Sequence, residues 1–262
     1  FNTPQEVAWI EEGGFVISIQ AFIDQISTFL ERPLEEQFDL ALSAFKAQEG
    51  THATTTSHLK LISGVYPLRT SKVYLNHARQ FLSDFKAHDD FSTQVSRIES
   101  LLQELEENRK TIDQYCGFLT HTDFVPHNIR ISDDGTMYLL DHSSITFGNK
   151  HEGWARFINF MTLYNPKLAQ ALVAYVRDNR AIEEQDSLYL MRLYRLTELA
   201  WYYLNKLGYS TGDLLELNQV RVVFWTNILT HILNSEPIPA ELIHTYQSLR
   251  SQAEKERQVG LH

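Results

Sequence analysis

The stretch His121-Thr122-Asp123-Phe124-Val125-Pro126-His127-Asn128, with Leu139-Leu140-Asp141 a short way downstream, decides the fold that this sequence predicts. Asp123 and Asn128 stand five positions apart. Between Asn128 and Asp141, two short apolar segments flank Asp133-Asp134-Gly135, a pattern typical of a strand, a turn and a second strand. We expect this hairpin to bring the side chains of Asn128 and Asp141 to one space of the size of a metal ion.

These three side chains are of the types that phosphoryl transfer requires. In that reaction an Asp accepts the proton of the acceptor hydroxyl, while an Asn and a second Asp hold the metal ions that neutralise the phosphates. Mg²⁺ prefers oxygen ligands and takes only one or two of them from the protein. The pattern therefore predicts Asp123 as the catalytic residue and Asn128 and Asp141 as ligands of Mg²⁺. Pro126 would stiffen the loop between them, because its ring fixes φ.

His-x-Asp-x-x-x-x-Asn, a hairpin and an apolar run that ends in Asp resemble the aminoglycoside phosphotransferase and choline kinase-like family, which has the protein-kinase-like fold. The resemblance extends over about residues 115–160. It implies transfer of the γ-phosphoryl group of ATP or GTP to a hydroxyl of a small molecule, with His121 supporting the loop. Downstream, Gly148 and Ala155-Arg156 match the family, whereas Asn149 and Gly153 stand where it usually has Asp. We expect this departure to weaken a helix-start contact.

The predicted fold class is α+β and mostly helical, a protein-kinase-like C-terminal lobe with a remnant of the small β-containing N-terminal lobe. We assign residues 1–24 to the remnant and hinge and residues 25–262 to the helical lobe, which contains the catalytic loop 121–128 and the metal-binding hairpin 129–141. Residues 15–23 are predicted to form a largely buried strand. The resemblance implies that backbone groups near Gln20 and Phe22 bind the nucleotide base.

Helical periodicity and terminal signals predict most of the remaining elements. We expect a first helix over residues 4–12, ended by Gly13-Gly14, and a second over 33–48, followed by a polar loop over 49–56. The other predicted helices cover residues 71–88, 91–116, 152–163, 166–179, 183–207, 213–233 and 238–257.

Two parts of a complete kinase-like small lobe are not found in this sequence. No glycine-rich phosphate loop and no phosphate-pairing lysine stands before Phe15, and the first residue is Phe1 rather than Met. We therefore expect most of the small lobe to lie outside the sequence given. Because positioning supplies most of the catalysis in phosphoryl transfer, we expect this chain by itself to fold but to be nearly inactive.

Composition restricts the partners. The net charge of −10 argues against a nucleic acid or an anionic membrane and suits a cationic acceptor such as an aminoglycoside or an amino alcohol. Cys116 is the only cysteine, so no disulfide can form within the chain. No apolar run approaches the ~20 residues of a transmembrane helix. We expect a cytoplasmic protein.

Two alternative functions remain open at this point. The first is a non-catalytic binding module derived from a kinase, which the lack of the phosphate-pairing lysine would favour. The second is a metallohydrolase, in which His121, Asp123, His127 and Asp141 bind a transition metal, since imidazole and carboxylate suit zinc or iron.

Overall fold

The residues that the structure describes are mostly helical and form three small antiparallel sheets, which confirms the coarse fold class. The computed structural model describes the backbone of residues 2–259 and the side chains as far as Gln252. Its chain divides into two units, of which one extends to residue 68 and includes 116–182, while the other contains 69–115 and the chain from 183 onward. The predicted assignment of residues 1–24 and 25–262 to kinase lobes stays a prediction.

The first unit begins with two strands, a long helix and a short one. These elements are β1 Glu6–Glu12, β2 Phe15–Gln20, α1 Leu34–Ser57 and α2 Leu59–Ile62. The second unit begins with α3 Ser71–Lys86, α4 Ser92–Glu107 and α5 Arg109–Gln114. The chain then returns to the first unit with β3 Phe118–His121, β4 Ile129–Ile131, β5 Met137–Leu139, β6 Ile145–Gly148, α6 Glu152–Tyr164 and α7 Pro166–Asn179. The last elements are α8 Ile182–Lys206, α9 Gly212–Leu233 and α10 Ala240–Val259.

The N-terminal segment is a β-hairpin, so the helix predicted over residues 4–12 is wrong. β1 pairs with β2, and Glu12 lies opposite Phe15 across Gly13-Gly14. Both glycines have positive φ, 59° and 81°, which is the conformation of a two-residue hairpin turn. β2 is exposed along its whole length, so the prediction of a buried strand is also wrong. The pattern of apolar residues in so short a segment cannot distinguish a strand that is buried on both faces from one that is exposed on both faces.

Helix α1 continues through the segment that was predicted to be a polar loop. The hydroxyls of its threonines bond to carbonyls one turn back, for example Thr54 to Gly50 and Thr55 to Thr51. The helix packs against β3 and buries the polar side chains of Gln48 and His52. Tertiary packing therefore overrides the weak helix propensity of Thr and Gly.

The hairpin between the two predicted metal ligands forms as expected. β4 pairs antiparallel with β5, and Ile129 lies opposite Leu139. The turn contains Gly135 at φ 80°, and the carboxylate of Asp134 accepts hydrogen bonds from the Ser132 hydroxyl and the Thr136 amide. This local network is ordinary Asx-turn chemistry and fixes the register of the two strands.

A cluster of aromatic rings lies beneath the loop that follows β3. Phe45 of α1 stacks on Trp154 of α6 with ring centroids 4.3 Å apart, and Phe157 contacts Phe29, Phe45 and Phe124 at 5.6–5.8 Å. Phe124, next to Asp123, is fully buried. The loop is thus anchored by a ring in the core of its unit, and the neighbouring carboxylate is held at the surface.

The second unit is helical. α3 packs on α4, α4 on α9, and α9 on α10. The predicted helix over residues 91–116 is divided at Asn108, whose side chain donates to the Glu104 carbonyl and ends α4. The predicted helices beyond residue 180 are confirmed to within about two residues at each end. No helix in the described part of the chain combines the length and the apolar character needed to cross a membrane.

His52 gives the stability of the protein a specific pH dependence. Burial, together with the charge of Lys150, lowers the pKa of His52 from 6.5 to about 3. Below about pH 6.5 the unfolded chain takes up a proton here that the folded chain does not, so acid favours unfolding through this residue. We expect His52 to lower the free energy of unfolding by about 1.4 kcal/mol for each pH unit between about pH 6 and pH 4.

Urea unfolding of the protein and of His52→Gln over this pH range isolates that share. His151 is also buried with a lowered pKa and contributes a loss of the same sign to both proteins. The free energy of unfolding should therefore fall less steeply with acid in His52→Gln. If the free energy of unfolding fell equally steeply with acid in both proteins, His52 would have to be protonated in the folded state as well.

Candidate functional site

The loop between β3 and β4 is fixed at both ends by backbone bonds. β3 pairs with β6, and both the amide and the hydroxyl of Thr122 donate to the Ser144 carbonyl at 2.8 and 2.9 Å. At the other end, Pro126 opens a single 3₁₀ turn that ends at Asn128. The loop thus leaves one sheet and enters another with little freedom between them.

Asn128 ties the two ends of the predicted site together. Its side-chain nitrogen donates to the backbone carbonyl of Asp123 at 2.8 Å and to the Oδ2 atom of Asp123 at 3.1 Å. Its own carbonyl accepts the amide of Leu140 at 2.8 Å, and Asp141 follows directly. Both of these Asp123 atoms are acceptors, so the amide oxygen of Asn128 takes no part in these bonds, and it is the atom that could bind a metal.

Arg156 is the second partner of Asp123. Its Nε and Nη2 atoms both lie 2.9 Å from Oδ1 of Asp123. The carboxylate is about half exposed and the guanidinium is mostly buried on α6, so solvent screens the attraction and its main effect is on orientation. The sequence contained the signal in the pair Ala155-Arg156, but the contact with Asp123 could not be inferred from spacing alone.

Asp141 has an unusual backbone conformation at the end of the hairpin. Its φ and ψ are 56° and 59°, which a residue other than glycine adopts rarely and at some cost. The hydroxyls of Ser143 and Ser144 donate to its two carboxylate oxygens. These bonds lower the pKa of Asp141, so the exposed side chain stays ionised. Backbone strain of this kind is concentrated at functional sites.

His121 lies beneath the loop and contacts the strand that carries Asp141. Its Nε2 atom is 3.0 Å from the carbonyl oxygen of Leu140. Burial lowers the pKa of His121, so the imidazole is neutral. Because a carbonyl only accepts, Nε2 carries the proton and Nδ1 is an acceptor. This contact is the one that a residue supporting the loop would make.

His127, the second histidine of the metallohydrolase alternative, contacts two aromatic rings of α6. It is exposed, and its ring contacts Phe160 and Tyr164 with centroids 5.2 and 6.2 Å away. Among the residues whose placement is described, no three His, Cys, Asp or Glu side chains are grouped so that they could hold a metal ion. The structure therefore gives no support to the four-ligand site of the metallohydrolase alternative.

The two predicted base-binding positions, Gln20 and Phe22, differ in their surroundings. Phe22 is 81% exposed and lines an open pocket of about 370 Å³ with Asp24 and residues 132–134 and 138 of the hairpin. Gln20 is not part of this pocket; it ends β2, opposite Glu6. Since three carboxylates line the pocket, it is unsuited to phosphate groups.

The departures from the family pattern have their own structural roles. The side-chain oxygen of Asn149 accepts the His151 amide at 2.9 Å, and its carbonyl accepts the Glu152 amide at 3.1 Å. Asn149 therefore bonds the chain just before α6, and the expected weakening of the family's helix-start contact stays a prediction. At Gly153, an added Cβ would lie 2.4 Å from Nε2 of Gln48 and 3.1 Å from the His121 carbonyl oxygen.

No model of a protein family matches this chain, and a search of curated proteins found no significant match. The resemblance to small-molecule kinases accordingly stays a prediction from the residues themselves.

The contact at Gly153 predicts an energetic coupling between α1 and the start of α6. In Gly153→Ala the new methyl group must displace the buried amide of Gln48 and press on the loop backbone. Gln48→Ala removes the first obstacle. We therefore expect Gly153→Ala to cost at least about 1 kcal/mol less in the Gln48→Ala background than in the unchanged protein.

Urea unfolding of the four proteins in this cycle measures the coupling. Gly50→Ala serves as a control, because nothing lies within 4 Å of a Cβ at that helical position. Gly50→Ala should change the free energy of unfolding by the same amount whether residue 48 is Gln or Ala. Additive effects of Gly153→Ala and Gln48→Ala would contradict the packing described.

Proposed function

We propose that this protein is a phosphotransferase that moves the γ-phosphoryl group of Mg-ATP or Mg-GTP to a hydroxyl of a small molecule. The observation that carries the proposal is the tie through Asn128, which joins Asp123 to the residue preceding Asp141. Asp123 and the residue before Asp141 are thereby both hydrogen-bonded to Asn128, although twelve residues stand between Asn128 and Asp141. That set of side chains is the one that kinase-type phosphoryl transfer uses.

Each residue has a distinct role in this proposal. Asp123 orients the acceptor hydroxyl and accepts its proton, and Arg156 and Asn128 fix the direction of its carboxylate. Asn128, through its amide oxygen, and Asp141, through its ionised carboxylate, would hold Mg²⁺, since both offer the hard oxygen ligands that this ion prefers. When bound, Mg²⁺ would neutralise charge on the phosphates. His121 supports the loop through Leu140.

The acceptor that we favour is a cationic hydroxyl compound, such as an aminoglycoside or an amino alcohol. The net charge of −10 supports this class, because an acidic protein attracts a cation over a distance and repels anionic acceptors. The half-exposed carboxylate of Asp123 is also a suitable neighbour for an ammonium group. The proposal includes neither a nucleic acid nor a membrane as a partner.

One observation favours the second candidate, a kinase-derived binding module without catalytic activity. Both carboxylate oxygens of Asp123 accept hydrogen bonds, from Arg156 and from Asn128, and both oxygens of Asp141 accept bonds from serines. In such a module, the role of Asp123 and Asp141 would be to accept these structural hydrogen bonds, and neither residue would take part in a reaction. Each carboxylate oxygen has a second lone pair, however, so the bonds leave room for a metal ion or an acceptor hydroxyl.

The metal site is tested by thermal stability. A ligand that binds the folded chain raises its melting temperature by mass action, so Mg²⁺ with ATP should raise it. Asp141→Ala should abolish this rise, because the ionised oxygen ligand is lost. Asp178→Ala removes an exposed carboxylate of α7 and should leave the rise unchanged.

The same assay separates the alternatives. An equal rise in Asp141→Ala would remove Asp141 from the proposed metal site. A rise caused by Zn²⁺ without nucleotide, and lost in His127→Ala, would favour a metallohydrolase.

The catalytic role of Asp123 is tested in a form of the protein that transfers phosphate at a measurable rate. Asp123→Asn keeps the size of the side chain and removes the group that accepts the proton. We expect turnover to fall by about 10²–10⁴-fold, the usual contribution of a general base, while the affinity for Mg-ATP changes little. Equal turnover would exclude Asp123 from the reaction.

A further inference from the structure

The hairpin formed by β1 and β2 exposes large apolar side chains on both of its faces. Phe15, Ile17 and Ile19 lie on one face and are 74%, 45% and 47% exposed. Trp9 and Val16 lie on the other face and are 56% and 57% exposed. A two-stranded hairpin is only marginally stable in water unless a third strand or a helix supports it. Apolar surface of this extent on such a hairpin indicates an interaction site.

The two strands differ in the features that protect the edge of a sheet. β1 carries Glu6, Glu11 and Glu12, and its register with β2 shifts between Glu6 and Ala8. β2 carries no charged residue, proline or glycine. Charges, prolines and bulges are the usual means by which native edge strands avoid pairing with another chain. Among the described residues, only β1 pairs with β2, so the outer edge of β2 is open to a further strand.

We propose that β2 is the contact surface of a dimer, in which it pairs antiparallel with β2 of a second copy of this chain. Such a pair has a two-fold axis perpendicular to the sheet, so each residue lies opposite a residue of the same face. With the axis at Ile17, Phe15 of each copy lies opposite Ile19 of the other. An aromatic ring opposite a β-branched side chain is a favourable cross-strand pair. β2 is therefore complementary to itself, and it does not need a partner of different sequence.

Charge favours the β2 edge over the other ways in which two copies could meet. Pairing through β1 would bring the glutamates of two copies together across the pair, and like charges in that position destabilise a sheet. Stacking of two hairpins would bury a carboxylate on either face, because Glu12 lies on the face of Phe15 and Glu11 lies on the face of Val16. Pairing through β2 leaves all three glutamates on the outer strands of a four-stranded sheet.

The interface is small, so the dimer should be weak. Each strand contributes six residues, whereas a standard interface has about 20–30 residues on each side. The chain also carries a net charge of −10, which makes two copies repel one another at a distance. We therefore expect monomer and dimer to exchange, with a dimer fraction that rises with protein concentration and with salt, which screens the repulsion. The proposal does not depend on the phosphotransferase function, because it uses no residue of that site.

Sedimentation velocity of the chain over a wide range of concentration tests the dimer. The mean sedimentation coefficient of the unchanged protein should rise with concentration toward the value for a dimer. Ile17→Lys should stay monomeric, because the axis brings its two lysines directly opposite one another. The matched control is Ile10→Lys, since Ile10 lies opposite Ile17 on the same face of the hairpin and is 42% exposed against 45%.

Ile10→Lys changes the net charge by the same amount as Ile17→Lys but should still form the dimer, because residue 10 lies on the outer strand. The proposal is overturned by an unchanged protein that stays monomeric, by a dimer that persists in Ile17→Lys, or by loss of the dimer in both variants.

Cross-linking tests the register of the pair. In a Cys116→Ser background, which removes the native cysteine, Ile17→Cys should form a disulfide between two copies on mild oxidation. Directly opposite residues of antiparallel strands have Cα atoms about 4.5–5.5 Å apart, which a disulfide can span. Ile10→Cys should give little cross-linked dimer, because three strand spacings separate residue 10 of one copy from residue 10 of the other. Equal cross-linking through both residues would contradict the pairing of β2 with β2.

Discussion

The hydrogen bonds of Asn128 are the constraint on which the rest of the candidate site depends. One short side chain reaches both the backbone and the carboxylate of Asp123, while the backbone of the same residue holds the strand that leads to Asp141. Without this tie, the two acidic residues would be positioned by a loop and a hairpin that need not move together. The left-handed backbone at Asp141 requires such surroundings, since a strained residue persists only where its neighbours determine its conformation.

Support for the loop comes from a layer of buried groups beneath it. Phe124 lies in the aromatic cluster of its unit, His121 bonds to Leu140, and Gln48 approaches the backbone of both His121 and Gly153. Apolar packing fixes where the loop lies, and directional bonds fix how Asp123 is turned. The half-exposed carboxylate of Asp123 can thus be oriented at a small cost in conformational entropy, because the residues beneath it are already ordered by packing in the core.

The sequence predicted what depends on local chemistry and missed what depends on long-range packing. The hairpin around Gly135 and the helices after residue 180 follow from turn residues and from apolar periodicity, which are local signals. The continuation of α1 to Ser57 does not, because it is decided by packing against β3, which is distant in the chain. The hairpin at residues 6–20 does carry a local signal, the Gly13-Gly14 turn, which was interpreted as the end of a helix. Among site residues, Asp123, Asn128 and Asp141 could be chosen by spacing. The contacts of Arg156 and Gln48 could not, since only the fold brings α6 and α1 to the loop.

The most direct test of the account is the position of a divalent metal ion in the protein with a non-hydrolysable ATP analogue. Crystals grown with Mn²⁺ in place of Mg²⁺ would give an anomalous signal that locates the ion. The account predicts a peak at coordination distance, about 2.0–2.2 Å, from the amide oxygen of Asn128 and a carboxylate oxygen of Asp141. Bound nucleotide with its metal ion away from both residues would contradict the central claim.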